Sequence, residues 1–130
     1  MARRNLGTSG TMPDGTQNPI STAVGAGDFV FISGLMAKTA DGQIAPGDIT
    51  VQTRVVMDRL TRTVERAGCT MDDVVKCTVW LTRAKDFPAF NAVYQTYFQP
   101  PMPARSAVRA DLLLPGALLE IEAICHRPKN

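Results

Sequence analysis

The sequence predicts an α+β domain, with two helices packed on one face of a mostly antiparallel sheet, in the order β-β-α-β-α-β-β. Three observations predict it. Two stretches carry apolar residues at helical spacing, and the segments around them alternate in polarity between clusters of turn-formers. The length, 130 residues, suits one hydrophobic core, so residues 1–130 read as a single domain.

Residues 1–17 read as an irregular N-terminal arm, because GTSGTMPDGTQNP (7–19) consists of turn-formers. Apolar residues on either side of Gly25-Ala26-Gly27-Asp28 predict a β-hairpin, its second strand running from Asp28 to Met36. In residues 49–67, Val56, Leu60, Val64 and Ala67 share a helix face. Asp48 or Thr50 is placed to cap its start, and Gly68 to close its end. Arg54, Asp58, Arg62 and Glu65 form a polar face expected to be solvated. VVKCTVWLT (74–82) alternates as a strand. Asp86 is placed to cap a second helix with the stripe Phe87, Phe90, Tyr94, Tyr97 and Phe98, which Pro100, Pro101 and Pro103 end. Strands over 104–112 and 117–126, joined at Pro115-Gly116, complete the order.

Composition narrows the function. A net charge of +2 with scattered basic residues gives no footprint for nucleic acid or a membrane surface. No apolar run approaches the ~18 residues that cross a bilayer. No hydrophobic segment follows Arg3-Arg4, so the start reads as that of a cytoplasmic protein. Cys69, Cys77 and Cys125 are odd in number and lack metal-ligand spacing, which predicts reduced thiols. With His126 the sole histidine, a multi-histidine metal site is ruled out.

Two charges stand out. Arg105 heads one apolar strand in PARSAV, and Glu120 interrupts another in LEIEAI. Buried charges cost several kcal/mol each unless paired, so these two either meet water or bind something. Residues 105, 107, 109 and 111 share one strand face, and Glu120, Glu122 and Ile124 share another. The expectation is that both faces lie away from the helices, where Leu118, Ile124 and Trp80 call for a partner chain. A hairpin about Pro115-Gly116 would set Glu120 near residue 109, leaving Arg105 more than about 10 Å away along the ladder. An arginine fork suits a carboxylate, and a glutamate can activate water. Pattern alone leaves this open against an interfacial charge network.

FISGLMA, DVVKCTVWLT, FPAFNAVYQTYF and, above all, PARSAV with LEIEAI resemble the RidA/YjgF family of reactive-intermediate deaminases. The resemblance runs from about residue 18 to 127. It implies a chorismate-mutase-like fold and a homotrimer with ligand clefts between subunits. It implies hydrolysis of enamines and imines derived from amino acids to 2-oxo acids and ammonia, with no metal or organic cofactor. Arg105 matches the arginine that grips the substrate carboxylate, Glu120 the acid that positions water, and Ser33, beside Gly34, a pocket serine.

Two positions depart from the family pattern. NPISTA puts Ile20 where a pocket tyrosine is usual, and Ala107 stands where a cysteine commonly follows PARS. Both changes make the pocket more apolar, which points to larger apolar substrates or to a specialised acid of the aminomuconate kind. A non-catalytic small-carboxylate binder is the alternative from another class. RNA cleavage finds no basic stripe or histidine pair to support it.

Overall fold

A computed structural model describes residues 3–128. Six strands form one sheet in the order β1-β2-β3-β6-β4-β5: β1 Arg4–Thr8, β2 Ser21–Ala26, β3 Phe29–Met36, β4 Val74–Leu81, β5 Ala104–Arg109 and β6 Leu119–His126. Two helices, α1 Ile49–Arg66 and α2 Phe87–Tyr94, cover one face. The α+β architecture with both helices on one side is therefore as the sequence predicts.

Three parts differ from expectation. The arm over 1–17 is not wholly irregular, because β1 pairs antiparallel with β2, Arg4 facing Gly25. Its RNLGT lacks alternation, and neighbouring β2 supplies the hydrogen bonds that fix it. Second, β5 and β6 do not form a hairpin. β4 lies between them, parallel to β5 and antiparallel to β6. The chain crosses from β4 to β5 through α2, and a helical crossover delivers a parallel strand. Third, Asp86 does not cap α2 with its side chain. The helix is entered through a 3₁₀ turn, Ala84–Asp86, so the Asp86 backbone is already helical. Its carboxylate turns back and accepts from Arg83 Nε at 2.8 Å.

Both ends of α1 follow the sequence. Asp48 Oδ1 accepts from Val51 N at 3.1 Å. At the far end, Cys69 N donates to Val64 O and Gly68 N to Glu65 O, with Gly68 at φ +88°. This paired closure needs the left-handed conformation that glycine adopts without strain.

The core lies between α1, α2 and the sheet. Val56, Met57, Leu60 and Val64 meet Ile32, Leu35, Val79, Leu119 and Ile121. Phe90, Tyr94 and Phe98 are buried in a row, with ring centroids 5.3 and 5.0 Å apart. Leu118 also packs against this core rather than on the open face. Buried Gln52 ties the chain entering β6 to α1. Its Nε2 donates to Gly116 O at 2.9 Å and its Oε1 accepts from Leu118 N at 2.9 Å. That clamp sets where Glu120, two residues on, enters the sheet.

Candidate functional site

Arg105 faces Cys77 in the β4–β5 register, and Cys77 is fully buried beneath the helices. Its side chain therefore leaves the sheet on the helix side, which corrects the expectation that 105, 107 and 109 face away from the helices. Alternation sorts residues into two faces but does not say which face the helices cover. As β5 is an edge strand, α2 shelters Arg105 without sealing it. Its Nη1 donates to Asn91 Oδ1 at 2.8 Å. Its Cζ lies 4.9 Å from the Tyr94 ring centroid, 5.3 Å from Phe87 and 5.7 Å from Phe90. Three aromatic faces thus hold the cation, each such contact contributing about 0.5–2 kcal/mol.

No carboxylate pairs with Arg105 among the described residues. The guanidinium borders an open cleft of about 420 Å³ lined also by Asn91, Tyr94, Gln95, Met102 and Pro103. One nitrogen is committed to Asn91, so the remaining donors are available to an incoming anion. Ala107 lies on the same face as Arg105, beside Leu81, Phe87 and Arg109 in a smaller hollow of about 190 Å³. Burial pushes the Cys77 thiol up to about 11, so it stays protonated and is no nucleophile at neutral pH.

Glu120 faces Met36 across β3–β6 and Trp80 across β4–β6. Leu119 and Ile121, its neighbours in the chain, are fully buried under the helices, so Glu120 points to the open face. The ladder slips between Ile32 and Leu35, where Ser33 and Gly34 bulge. Gly34 there lies against the Glu120 carboxyl with no room for a Cβ. Ser33 Oγ donates to Ser21 O at 2.6 Å, and Ile20, next to Ser21, is 48% exposed. Glu120 has no hydrogen-bond or ion-pair partner among the described residues. Burial raises its carboxyl above its ordinary value, and the Glu122 charge adds to this.

The predicted residues thus fall into two groups. Ser33, Gly34 and Glu120 gather at the β3 bulge, with Ile20 next in the chain to the Ser21 that Ser33 bonds, while Arg105 and Ala107 lie under the edge of α2. The expected spacing along a β5–β6 hairpin does not apply. Sequence reasoning missed Asn91, Phe87 and Tyr94 as the mounting of Arg105. The one signal was a polar Asn91 placed four residues after Phe87 in an otherwise apolar helix.

Comparisons with known proteins identify the family. A family profile described as Endoribonuclease L-PSP matches residues 11–127. A RutC family protein of Pyrococcus horikoshii is 42% identical over 110 residues, 84% of this chain and 87% of its own. The 2-iminobutanoate/2-iminopropanoate deaminase of Mus musculus is 37% identical over 107 residues, 82% of this chain and 79% of its own. Among solved structures, RidA from the Antarctic bacterium Psychrobacter sp. PAMC 21119 superposes with a TM-score of 0.80 at 30% identity, covering 95% of each chain. Escherichia coli TdcF with bound serine gives 0.80 at 32% identity, covering 95% of this chain and 96% of its own. With profile, relatives and fold in agreement, the chain belongs to the RidA/YjgF family, the one described as Endoribonuclease L-PSP.

Proposed function

We propose that this protein hydrolyses enamines and imines derived from amino acids, releasing a 2-oxo acid and ammonia. The active site forms between copies of the chain in a homotrimer. The observation that carries the reading is the pair of charges without a counter-ion. Arg105 is mounted with donors to spare, and Glu120 stands with a raised carboxyl, in two places that one chain does not bring together. Arg105 binds the substrate carboxylate. Glu120 of a neighbouring copy takes a proton from water as the water oxygen bonds to the imine carbon. The proton passes to nitrogen, giving a carbinolamine. Glu120 then takes the hydroxyl proton and delivers it to the amino group as the carbon–nitrogen bond breaks, so that ammonia leaves and the carbonyl forms. Every step is proton transfer or addition to a polarised double bond, which calls for neither a metal nor an organic cofactor.

The open sheet face supports assembly. Phe29, Phe31 and Val108 are 43%, 44% and 50% exposed, and Trp80 and Ile124 stand in the strands between them. Large apolar side chains on one face are what a partner covers. The relatives support the chemistry, because deaminases of 2-iminobutanoate and 2-iminopropanoate in mouse and goat are 37% and 38% identical to this chain. That a neighbour's structure holds serine fits a cleft that receives an amino-acid carboxylate.

The test generates 2-iminopropanoate and 2-iminobutanoate in situ with an amino-acid oxidase and follows ammonia release. The protein is expected to accelerate release, and Arg105→Ala and Glu120→Ala to lose the acceleration. Saturable 2-oxo acid binding without acceleration would make the chain a carboxylate binder instead.

A further inference from the structure

A second polar cleft lies on the helix side of the molecule, away from Arg105. It measures about 330 Å³ and runs between the C-terminal half of α1 and the β1–β2 edge. Arg59, Arg62 and Arg66 line one wall, and Leu6, Gly7, Thr8 and Thr22 the other. Spaced by three and four residues, the arginines fall on adjoining turns of one helix. Arg62 is solvent-exposed, as the sequence predicts for that helix face, and the fold places β1 and β2 across the cleft from it.

Like charges gathered without a counter-ion cost free energy, and the chain supplies none here. Both ion pairs among the described residues, Arg83–Asp86 and Arg127–Asp73, lie elsewhere. Arg62 and Arg66 make no hydrogen bond or ion pair, and neither do the Thr8 and Thr22 side chains. Arg59 spends one donor on Met36 O at 2.6 Å and keeps the rest. Burial, then the neighbouring Arg62 charge, lowers its affinity for its proton. The cleft therefore presents guanidinium forks on one side and hydroxyl donors on the other, a set complementary to a tetrahedral oxyanion.

We propose that this cleft binds the phosphate group of a small phosphorylated molecule, at a site separate from the imine-hydrolysing one. The volume equals about eleven water molecules at about 30 Å³ each, enough for a phosphate and a body of a few carbons. Arg62 and Arg66 grip the phosphate oxygens, Thr22 donates from the opposite wall, and Arg59 closes the inner end. The proposal does not rest on the deaminase reading, because no residue is shared.

Calorimetric titration of the full-length protein at constant ionic strength tests it, with inorganic phosphate, glycerol 3-phosphate, acetate and a short single-stranded RNA as probes. Saturable binding of phosphate or glycerol 3-phosphate, one per chain, is expected, with acetate at least about tenfold weaker. The tighter of the two phosphates identifies free phosphate or a phosphomonoester as the ligand. Arg62→Gln and Arg66→Gln should each weaken binding by about tenfold or more, since a charge-assisted hydrogen bond is lost. Both side chains are exposed and unpartnered, so thermal melting should show both variants folded. Absence of saturation, equal binding in either variant, or RNA as the tightest ligand would each overturn the proposal.

Discussion

Gly34 and Glu120 face each other across β3 and β6 so closely that a methyl group on Gly34 would overlap Oε2 of Glu120. Gly34 has no left-handed backbone, so its lack of a side chain serves space rather than conformation. Gly34→Ala should fold, because the Glu120 carboxyl is a flexible end that can swing aside. It should then lose about tenfold to a hundredfold in kcat, the scale of a 1 Å misplacement of a reacting group. Steady-state kinetics beside thermal melting separate the two effects, and unchanged kcat would release Glu120 from the chemistry.

Cys77 and Trp80, the β4 partners of Arg105 and Glu120, are three residues apart and so face opposite sides of the sheet. Under the proposed function, a site needing both charges draws them from two copies. Arg105→Ala and Glu120→Ala chains, each inactive alone, should complement when co-refolded at equal ratio. Random assembly gives about one site in four with both native residues, hence about a quarter of native activity. No recovery in assemblies verified as mixed by mass would place both groups in one chain.

The raised Glu120 carboxyl has a pH signature. As a base it works ionised, so the acid limb of kcat/KM should lie above that of an ordinary glutamate and disappear in Glu120→Gln. For stability the sign is opposite. The folded state holds this proton more tightly than the unfolded chain does, so stability falls as pH rises through the raised value. Glu120→Gln should flatten that fall, read as Tm against pH for both proteins.

Arg105→Lys keeps the charge but loses the planar fork and its fit against Phe87 and Tyr94. A fall of about tenfold to a hundredfold in kcat/KM on 2-imino acids is expected, in a protein of native oligomeric state. Native activity in this variant would make Arg105 structural.

Ile20 is exposed and precedes Ser21, whose carbonyl Ser33 bonds, and Ala107 offers only a methyl group. Imines made in situ from leucine and phenylalanine should be preferred over that from alanine, each added buried methylene contributing about 0.8 kcal/mol. Ile20→Tyr should restore preference for the small imine. Equal acceleration of the alanine imine by the native protein would refute this.

Much of the fold was legible because it is written locally. The stripe Val56–Leu60–Val64, the cap at Asp48 and Gly68, and the alternation through β4 need only near neighbours. The placement of β5 was not, since Pro115-Gly116 reads as a hairpin unless one knows that β4 fills the space between β5 and β6. The side on which Arg105 emerges follows from that placement. Arg105 and Glu120 were legible through family resemblance, whereas Asn91 and the rings around Arg105 required α2 to be packed. Arg62 is exposed as its helix face predicts, but nothing local revealed that β1 lies across a cleft from it.

The Ser33 hydroxyl has already given its only proton, at 2.6 Å, to the Ser21 carbonyl. Toward a ligand it therefore has lone pairs alone to offer. An imine nitrogen bearing hydrogen can satisfy them, while the carbonyl oxygen of a 2-oxo acid cannot. With Ser33 taken as a pocket serine of the proposed site, the same hydroxyl favours what arrives over what is made. Exchange of nitrogen for oxygen at one carbon then turns a hydrogen bond into a lone-pair clash and helps to clear the site for the next turnover.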